Sequence, residues 1–281
     1  MVLVFGATGT TGGEVARQLI AAGHKPRLLV TDPARAREFA GHAEIATGDL
    51  ARPDSLAAAL RGIERMYLMS PAAADPALET GAIAAAKKVG VMHVVKLSVL
   101  DAGDPQEQFA RWHAQAEAAL RGSSLAWTIL RPAHYMSNAL GWAATIKTQG
   151  AFYEPAGTGR WAAFDPSDLA AIAVKALTEP GHEGKIYSLT GPESLTAADY
   201  ASQLAAALGK PVRFVDVPPE SARDAMLKNG LPLRLVDAIL DLAAATRAGA
   251  FDRVTTDFER VTGRPPASFA AWARRHASAF R

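Results

Sequence analysis

Short apolar runs alternate along the first half of the chain with longer segments whose apolar residues recur every three or four positions. A short apolar run between turn residues is typical of a strand buried on both faces, and the longer spacing is typical of a helix with one face on a core. The predicted strands are Val2–Phe5, Arg27–Val30, His42–Ala46, Arg65–Met69, Met92–Leu97 and Ala126–Arg131. This alternation predicts an α/β fold, a Rossmann-like doubly wound parallel sheet with helices on both faces.

Beyond Gly150 the alternation gives way to isolated short strands and helices. Strands are predicted at Ala151–Tyr153, Lys185–Leu189 and Val212–Val217, and helices follow to the C-terminus. We therefore expect a Rossmann-like domain at residues 1–150 and a smaller α+β lobe at residues 151–281. We expect this lobe to be interleaved with the first domain, to be unable to fold alone and to form the wall of a substrate site.

The composition is that of an ordinary globular protein and excludes several kinds of chemistry. The chain has 281 residues, a formal net charge of +2 and no cysteine, which rules out disulfides and thiolate nucleophiles within it. The small charge gives no reason to expect a nucleic acid as partner, and no apolar run is long enough to span a bilayer. We expect a cytoplasmic protein that acts on a small molecule, and we leave a homodimer open.

The first predicted strand is followed at once by glycines three residues apart, at Gly6, Gly9 and Gly12, and then by a helical pattern. Gly6 permits a tight turn, Gly9 lets the backbone approach a ligand, and Gly12 lets helix and strand pack closely. The free amides and the dipole of the helix start suit a pyrophosphate. A strand, a glycine turn and a helix in this order predict dinucleotide binding, with a purely structural turn as the alternative.

The end of the second predicted strand is where such folds choose between NAD and NADP, and the residues here are ambiguous. Asp32, after Thr31, suits a ribose hydroxyl but equally suits the cap of the next helix. Arg35 and Arg37 suit a 2′-phosphate but are equally ordinary solvated arginines. We expect NADPH to be favoured and NADH to remain a candidate.

The chain lacks the tyrosine and lysine, four residues apart on one helix, that short-chain reductases use as acid, because no tyrosine has a lysine four residues later. In the corresponding place stand His113 and Glu117, which share a helix face. We expect Glu117 to hold and polarise His113 as a proton donor, near Ser98 at a strand end. The alternatives are a structural His–Glu pair and a histidine that lines the site without transferring a proton. A metal site is not expected, because no third ligand can be placed.

Several motifs together resemble the NmrA-like family of atypical short-chain dehydrogenase/reductases, most closely its bacterial triphenylmethane, quinone and azo-dye reductases. They are Gly6-Ala7-Thr8-Gly9-x-x-Gly12, Gly48-Asp49, Lys96-Leu97-Ser98, His113-x-x-x-Glu117, Thr128-x-Leu130-Arg131-Pro132-x-x-Tyr135-Met136-x-Asn138 and His182-Glu183-Gly184-Lys185-x-Tyr187-x-Leu189-Thr190-Gly191. They extend over nearly the whole chain.

The resemblance implies roles for further residues. It implies that the turn from Gly6 to Gly12, with Thr8, Thr10 and Thr11, cradles the pyrophosphate. Ser98 is expected at the cofactor because it follows the carboxyl end of a predicted strand, where ligands bind in such folds. The resemblance also implies that Asp49 and Leu50 flank the adenine, that Ser70 and Pro71 lie along the ribose, and that Pro132, Ala133 and Tyr135 border the nicotinamide. Relatives that prefer NADP often have Arg-Asn where this chain has Thr31-Asp32.

The function that we expect is hydride transfer from NAD(P)H to a flat, conjugated acceptor such as a quinone, an azo dye or an arylmethane dye. Such acceptors need little acid catalysis, so the missing tyrosine and lysine are tolerable. An alternative is a dinucleotide-binding redox sensor without turnover, and a carbonyl reductase or epimerase ranks lower. The candidate walls of the substrate site are His134, Tyr135, Met136, Trp142 and Phe152, although core packing competes for at least half of them.

Overall fold

A computed structural model describes residues 1–70, 75–103 and 105–281. The strands in these ranges are β1 (Val2–Val4), β2 (Arg27–Val30), β3 (Glu44–Thr47), β4 (Arg65–Leu68), β5 (His93–Leu97), β6 (Ala126–Pro132), β7 (Ala151–Glu154), β8 (Arg160–Trp161), β9 (Lys185–Leu189), β10 (Leu195–Thr196) and β11 (Arg213–Asp216).

The α-helices are α1 (Thr10–Ala21), α2 (Leu56–Leu60), α3 (Pro76–Val89), α4 (Gln108–Arg121), α5 (Ala143–Gln149), α6 (Pro166–Thr178), α7 (Ala197–Leu208), α8 (Pro219–Lys228), α9 (Leu233–Arg247), α10 (Asp257–Thr262) and α11 (Phe269–Arg275). Shorter 3₁₀ turns lie at Pro33–Phe39, Pro53–Ser55, Met136–Trp142 and Ala277–Phe280.

The main sheet of the described chain has seven strands in the order β3-β2-β1-β4-β5-β6-β9. Its first six strands pair in parallel, so that Leu3 lies beside Arg27 on one side and Met66 on the other. The chain winds outward from β1 to β3 and then returns to β4 on the other side of β1. The strand order therefore reverses at the carboxyl ends of β1 and β4, where ligands bind in open α/β sheets. The expectation of a Rossmann-like α/β fold is confirmed.

Side chains alternate across the sheet and bury an apolar layer on each face. Leu3 and Phe5 join a cluster that includes residues of α2 and α3, whereas Val4 is buried on the opposite face. On that face α1 packs along α6, and α6 lies over β4, β5 and β6. Helices thus cover both faces, as the unbroken apolar runs of the strands require.

The described residues form two compact units. The first consists of residues 1–106, 110–132 and 166–188, and the second of residues 107–109, 133–165 and 189–281. The second contains the parallel pair β7 and β11, the antiparallel pair β8 and β10, and the helix α7, which packs against α11.

The sequence analysis assigned residues 166–188 to the smaller lobe, but the structure places them in the first unit. Most of β9 belongs to this segment, and β9 is the seventh strand of the main sheet, beside β6. The amide of Gly184 donates to the carbonyl of Trp127 at 2.7 Å. Pairing satisfies the edge of β6, which would otherwise present free backbone groups to solvent. The residues of a strand do not show which strand it pairs with, and for this reason the pairing of β9 with β6 could not be predicted from the sequence.

The predicted strand bounds differ from the observed ones where turns compete. Strand β3 begins at Glu44, two residues after the predicted start, because the amides of His42 and Ala43 donate to the carbonyl of Phe39 and close the preceding turn. After β6 the chain forms a 3₁₀ turn over Met136–Trp142 and continues directly into α5. Among the described residues, no helix is both long and apolar enough to cross a membrane.

Candidate functional site

The glycine turn joins β1 to α1 at the point where the strand order reverses. Gly6 has a φ of +66°, a region that a side chain disfavours. A Cβ added at Gly12 would overlap the backbone oxygens of Gly6 and Phe5, so only glycine lets α1 lie this close to β1. A Cβ at Gly9 would meet only the Gly6 oxygen, at 3.3 Å. Gly12 is therefore needed for the fold, whereas Gly9 leaves room above the turn.

The start of α1 carries donors that the turn does not use. Gly9 is its N-cap and supplies no side-chain cap, while the amide of Gly13 closes the first turn onto the Gly9 carbonyl at 2.9 Å. The amides of Thr10, Thr11 and Gly12 precede that bond, and the first amides of a helix have no partner within it. The Thr11 hydroxyl is buried beside the Tyr67 phenol, with which it interacts as a hydrogen-bond partner. An open turn and free amides fit a pyrophosphate.

At the end of β2, the Asp32 carboxylate accepts a hydrogen bond, whereas the Arg35 guanidinium has no partner within the described residues. Asp32 caps the 3₁₀ turn that follows, because its Oδ1 accepts from the amide of Ala34 at 2.9 Å. The side chain of Arg35 is exposed and forms no hydrogen bond or ion pair within the described residues. Thr31 is exposed as well. The capping role weighed for Asp32 is thus the observed one, and Arg35 keeps its capacity for a phosphate.

Asp49 closes a turn after β3. Its Oδ1 accepts from the amide of Ala51 at 2.9 Å, and its own amide donates to the Ser55 hydroxyl at 2.9 Å. The adjacent Leu50 is partly buried against the apolar cluster of the sheet. These contacts account for both residues structurally. Their expected place beside an adenine stays a prediction.

A fully buried ammonium lies at the carboxyl end of β5. The Nζ atom of Lys96 lies 2.8 Å from the Oε2 atom of Glu79 on α3, 2.7 Å from the carbonyl oxygen of Leu97, and 3.2 Å from the Nδ1 atom of His113 on α4. Lys96 is 0% exposed. The Ser70 hydroxyl, just past β4, donates to the other Glu79 oxygen at 3.0 Å. These four side chains, Ser70, Glu79, Lys96 and His113, are called the lysine cluster below.

A second buried charge lies one turn further along α4. The Ser98 hydroxyl donates to the Oε1 atom of Glu117 at 2.5 Å, and Arg131 donates to both Glu117 oxygens, at 2.9 and 2.6 Å. Burial opposes ionisation of Glu117, but the hydrogen bonds from Arg131 and Ser98 outweigh it, so the pKa of this carboxyl lies below its usual range. Glu117 is therefore an ionised structural anchor. Glu117, Ser98 and Arg131 are called the glutamate cluster below.

The expected pairing of Glu117 with His113 is wrong. Both residues lie on α4, four positions apart, but Glu117 binds Ser98 and Arg131, while the imidazole of His113 contacts Lys96. Lys96 of β5 contacts His113, and Arg131 of β6 binds Glu117. The charged guanidinium binds the Glu117 carboxylate more strongly than a neutral imidazole would. Burial, and then the charge of Lys96, hold the pKa of His113 well below its usual range. Any catalytic role of His113, Glu117 or Ser98 stays a prediction.

Sequence reasoning did not assign site roles to Glu79, Lys96 or Arg131. One signal was present, because Lys96 interrupts the otherwise apolar run Val94-Val95-Lys96-Leu97, and a lysine in a buried strand requires a partner. Glu79 lies in the alanine-rich helix α3, and a sequence of this kind indicates only that the helix packs closely against its neighbours. The pairing of these residues is visible only once the strands and helices are assembled.

For three further residues named by the resemblance, Pro71, Pro132 and Ala133, the structure gives little or no information on a role. Pro71 lies outside the described residues. Pro132 ends β6, where its carbonyl accepts from the amide of Leu100 at 2.9 Å. Ala133 begins a segment of the second unit, and its amide donates to the carbonyl of Leu189 at 2.8 Å. Their places along a ribose or a nicotinamide stay predictions.

Three of the expected substrate residues are packed within the second unit. Met136 is 1% exposed and Phe152 is 0% exposed. Trp142 stacks on Phe152 with ring centroids 4.0 Å apart, and its indole N–H donates to Glu154 at 2.6 Å. These contacts favour the core-packing role that the sequence analysis weighed for them. Tyr135, a fourth, lies beside Phe164 in an isolated parallel bridge.

His134, the remaining substrate candidate, has an unusual environment. Its ring lies 4.8 Å from Phe251 and 5.9 Å from Trp161, and its Nδ1 atom is buried without a hydrogen-bond partner in the described structure. Burial lowers the pKa of His134 to about 4, so the ring is neutral at physiological pH. It supplies an uncharged aromatic surface.

The comparisons with known proteins agree with this fold. The NAD(P)H-binding family matches residues 6–180. The chain is 40% identical to the NAD(P)H azoreductase of Xenophilus azovorans, over 100% of this chain and 99% of that protein. It resembles the structure of the NADPH-dependent quinone oxidoreductase of Escherichia coli complexed with NADPH, with a TM-score of 0.89, 28% identity, and coverage of 98% of this chain and 99% of that one.

A third relative acts on a different dye class. The triphenylmethane reductase of Citrobacter sp., solved in complex with NADP(H), has a TM-score of 0.88 and 25% identity, over 99% of this chain and 100% of that one. The family match over residues 6–180 and the relatives that cover the chain nearly end to end confirm the resemblance that the motifs indicated. The chain belongs to the NAD(P)H-binding family, as an NmrA-like member of the atypical short-chain dehydrogenase/reductases.

Proposed function

We propose that this protein is an NAD(P)H-dependent reductase that delivers hydride to a flat, conjugated acceptor of the quinone, azo-dye or arylmethane type. The observation that carries the proposal is the open glycine turn of Gly6, Gly9 and Gly12, with the free amides of α1 beyond it. It is supported by the relatives, which are named for an azoreductase, a quinone oxidoreductase and a triphenylmethane reductase.

The buried charges favour an acceptor that needs no strong acid. Glu117 is ionised and held by Arg131 and Ser98, and His113 is neutral beside Lys96. The Tyr67 phenol is fully buried, and burial raises its pKa further above its usual value. None of these groups is suited to protonating a simple carbonyl at neutral pH. A quinone or a dye cation takes hydride directly and delocalises the charge.

The cofactor supplies the hydride when it is bound, and the residues of this chain bind and orient it. The amides at the start of α1 and the turn at Gly9 hold the pyrophosphate. The lysine cluster and the glutamate cluster fix the carboxyl ends of β5 and β6, so the surface beside the cofactor is rigid. Orientation of donor and acceptor, and not acid catalysis, is then the main contribution of the protein.

NADPH is the preferred cofactor in this proposal. The carboxylate of Asp32 is engaged by the amide of Ala34, whereas the guanidinium of Arg35 is exposed and unpaired in the described chain. A free guanidinium at the end of β2 binds a 2′-phosphate by paired hydrogen bonds.

The experiment that tests the function is steady-state oxidation of NADPH with a panel of acceptors. The panel holds benzoquinones and naphthoquinones, an azo dye, a triphenylmethane dye and an aliphatic ketone. We expect turnover with at least one conjugated acceptor and none with the ketone. Tight cofactor binding without turnover of any conjugated acceptor would overturn the proposal in favour of a cofactor sensor.

Two further expectations stay predictions. A homodimer is tested by light scattering of the purified protein across a range of concentrations. A cytoplasmic location is tested by fractionation of cells that express the protein.

A further inference from the structure

The lysine cluster fixes the direction of the hydrogen bond between Lys96 and His113. An ammonium has three N–H donors and no acceptor. The Nζ atom of Lys96 has three neighbours at hydrogen-bond distance, which are Glu79 Oε2 at 2.8 Å, the Leu97 carbonyl at 2.7 Å and His113 Nδ1 at 3.2 Å. All three neighbours must accept. The Nδ1 atom of His113 therefore carries no proton.

Glu79 keeps this arrangement charged. Its carboxylate is 2% exposed and faces Lys96, which is 0% exposed, so each charge is the counterion of the other. Ser70 donates to the second Glu79 oxygen at 3.0 Å. A carboxylate with an ammonium on one oxygen and a hydroxyl on the other stays ionised, and the ammonium then has no lone pair to offer to His113.

With Nδ1 as acceptor, the neutral imidazole carries its proton on Nε2. Protonation of Nδ1 would place a second cation against the Lys96 ammonium in a buried site, which is why the pKa of His113 lies well below its usual range. Of the other charged groups, Glu79 reaches Lys96 and not the imidazole, and Glu117 is held by Ser98 and Arg131. The Nε2 atom makes no hydrogen bond in the described part of the chain.

We propose that Lys96 is a positioning residue that holds His113 as its neutral Nε2–H tautomer, so that His113 presents one fixed hydrogen-bond donor to a quinone oxygen and transfers no proton. This inference rests on the proposed reductase function. In this transfer the reduced nicotinamide would lose a C–H bond with both of its electrons and become oxidised, while a quinone oxygen would gain an O–H bond and the quinone would become a hydroquinone monoanion. The N–H of His113 stabilises that anion, and water supplies the second proton of the hydroquinone.

A fixed neutral donor suits this chemistry better than an acid of ordinary pKa. A donor that is already in place costs no reorganisation when charge develops on the oxygen. It works equally at every pH at which the ring stays neutral. The expected rate therefore depends on His113 but does not follow the ordinary titration of a histidine.

The first test is the tautomer itself, observed by NMR of protein labelled with nitrogen-15 in its seven histidines. The His113 signals are assigned by their loss in His113→Gln. We expect an unprotonated Nδ1 and a protonated Nε2, unchanged from pH 8 to pH 5.5. A protonated Nδ1, or titration of His113 near its ordinary pKa, would overturn the proposal whether or not the protein turns over a quinone.

The second test removes the positioning charge. Lys96→Met alone would leave Glu79 buried and unpaired, so the variant of choice is Lys96→Met with Glu79→Gln. We expect the pKa of His113 to rise in this variant while burial still holds it below its usual range, and the neutral ring to populate both tautomers because no ammonium forces Nδ1 to accept. A double variant whose His113 keeps its proton on Nε2 alone would show that Lys96 is not the positioning residue.

The third test separates the donor from the ring. We expect His113→Phe to lower kcat for a quinone by about 100-fold, and His113→Gln, which keeps an N–H donor, to recover about tenfold of that loss. The exposed His42→Gln serves as the matched control and should leave kcat unchanged. Equal rates for His113→Phe and the native protein would overturn the donor role. An inactive native protein with the expected tautomer would count against the reductase function alone.

Discussion

The guanidinium of Arg131 donates to both carboxylate oxygens of Glu117, at 2.9 and 2.6 Å, and Glu117 is 0% exposed. Arg131 lies near the end of β6 and Glu117 lies on α4, so this two-pronged contact ties the helix to the sheet. Ser98, just past β5, donates to the same carboxylate at 2.5 Å. The rim of the sheet at β5 and β6 is thereby fixed by one buried anion and the two donors that surround it.

Loss of Arg131 should be costly, because it leaves a buried anion without its cation. We expect Arg131→Ala to lower the free energy of unfolding by about 3–5 kcal/mol. Chemical denaturation at pH 7, followed by circular dichroism, measures the change. Arg121→Ala is the matched control, since Arg121 is half-exposed and 3.8 Å from Glu117, and it should cost less than about 1 kcal/mol. Equal losses in the two variants would contradict the role given to the two-pronged contact.

A buried histidine should make the fold less stable in mild acid. His93 is 3% exposed, and burial lowers its pKa to about 4. Its Nε2 donates to the Thr128 hydroxyl at 2.9 Å, because that hydroxyl gives its own proton to the carbonyl of His182 at 2.7 Å. The folded pKa lies below the unfolded value of about 6.5, so the unfolded chain binds more protons between these values. The contribution of His93 is therefore complete above about pH 6.5 and is lost as the pH falls toward 4.

The size of this effect is on the order of 3 kcal/mol between pH 7 and pH 4, because the pKa of His93 is about 4 in the folded chain and about 6.5 in the unfolded chain. Denaturation of the native protein and of His93→Leu across this range measures it. The variant should be less stable at pH 7 and should lose less stability on acidification. Parallel pH profiles for the two proteins would show that His93 titrates normally in the folded state.

Two substitutions in the glycine turn should have different effects, one on cofactor binding and the other on the stability of the fold. Gly9→Ala adds a Cβ that meets only the Gly6 oxygen, at 3.3 Å, so we expect a stability within about 1 kcal/mol of the native value and weaker NADPH binding. Gly12→Ala places its Cβ against the backbone oxygens of Gly6 and Phe5, and we expect a loss of about 1–3 kcal/mol. Thermal unfolding and cofactor titration of both variants test the pair. Unchanged NADPH affinity in Gly9→Ala would argue against a cofactor above the turn.

Arg35 should set the choice between the two nicotinamide cofactors. We expect Arg35→Ala to weaken NADPH binding by about 10- to 100-fold, the loss of roughly 1.5–3 kcal/mol from a charge-assisted hydrogen bond, and to leave NADH binding nearly unchanged. Arg61→Ala, which removes an exposed arginine at the end of α2, is the control and should change neither. Equal loss of both cofactors in Arg35→Ala would mean that this arginine does not contact a 2′-phosphate.

Much of the fold was predictable because its signals are local. Strand β2 has the predicted bounds, Arg27–Val30, since a parallel strand buried on both faces reads as one apolar run. The glycine turn was predictable for the same reason, because its chemistry lies within a few consecutive residues. The place of β9 in the main sheet was not, since Lys185–Leu189 reads as a strand without indicating its neighbour.

The contacts among the buried charges of the site could not be predicted from local sequence patterns. His113 and Glu117 were predicted to pair because they share a face of one helix. Their actual partners, Lys96 and Arg131, come from different strands. Local spacing shows which residues are able to meet, but the sheet decides which cation reaches which group. An ion pair wins that competition because an unpaired buried charge costs far more than an unmade pair on a helix surface.

The most direct test of the account is a single experiment in one cuvette. The protein is titrated with NADPH while nucleotide fluorescence is followed, and menadione is then added in excess. We predict saturable binding of one NADPH per chain, tighter than that of NADH, followed by loss of the reduced-nucleotide signal at a rate far above that without protein. Absence of binding would contradict the reading of Gly6, Gly9 and Gly12 as a cofactor site, and binding without loss of signal would contradict hydride transfer to a quinone.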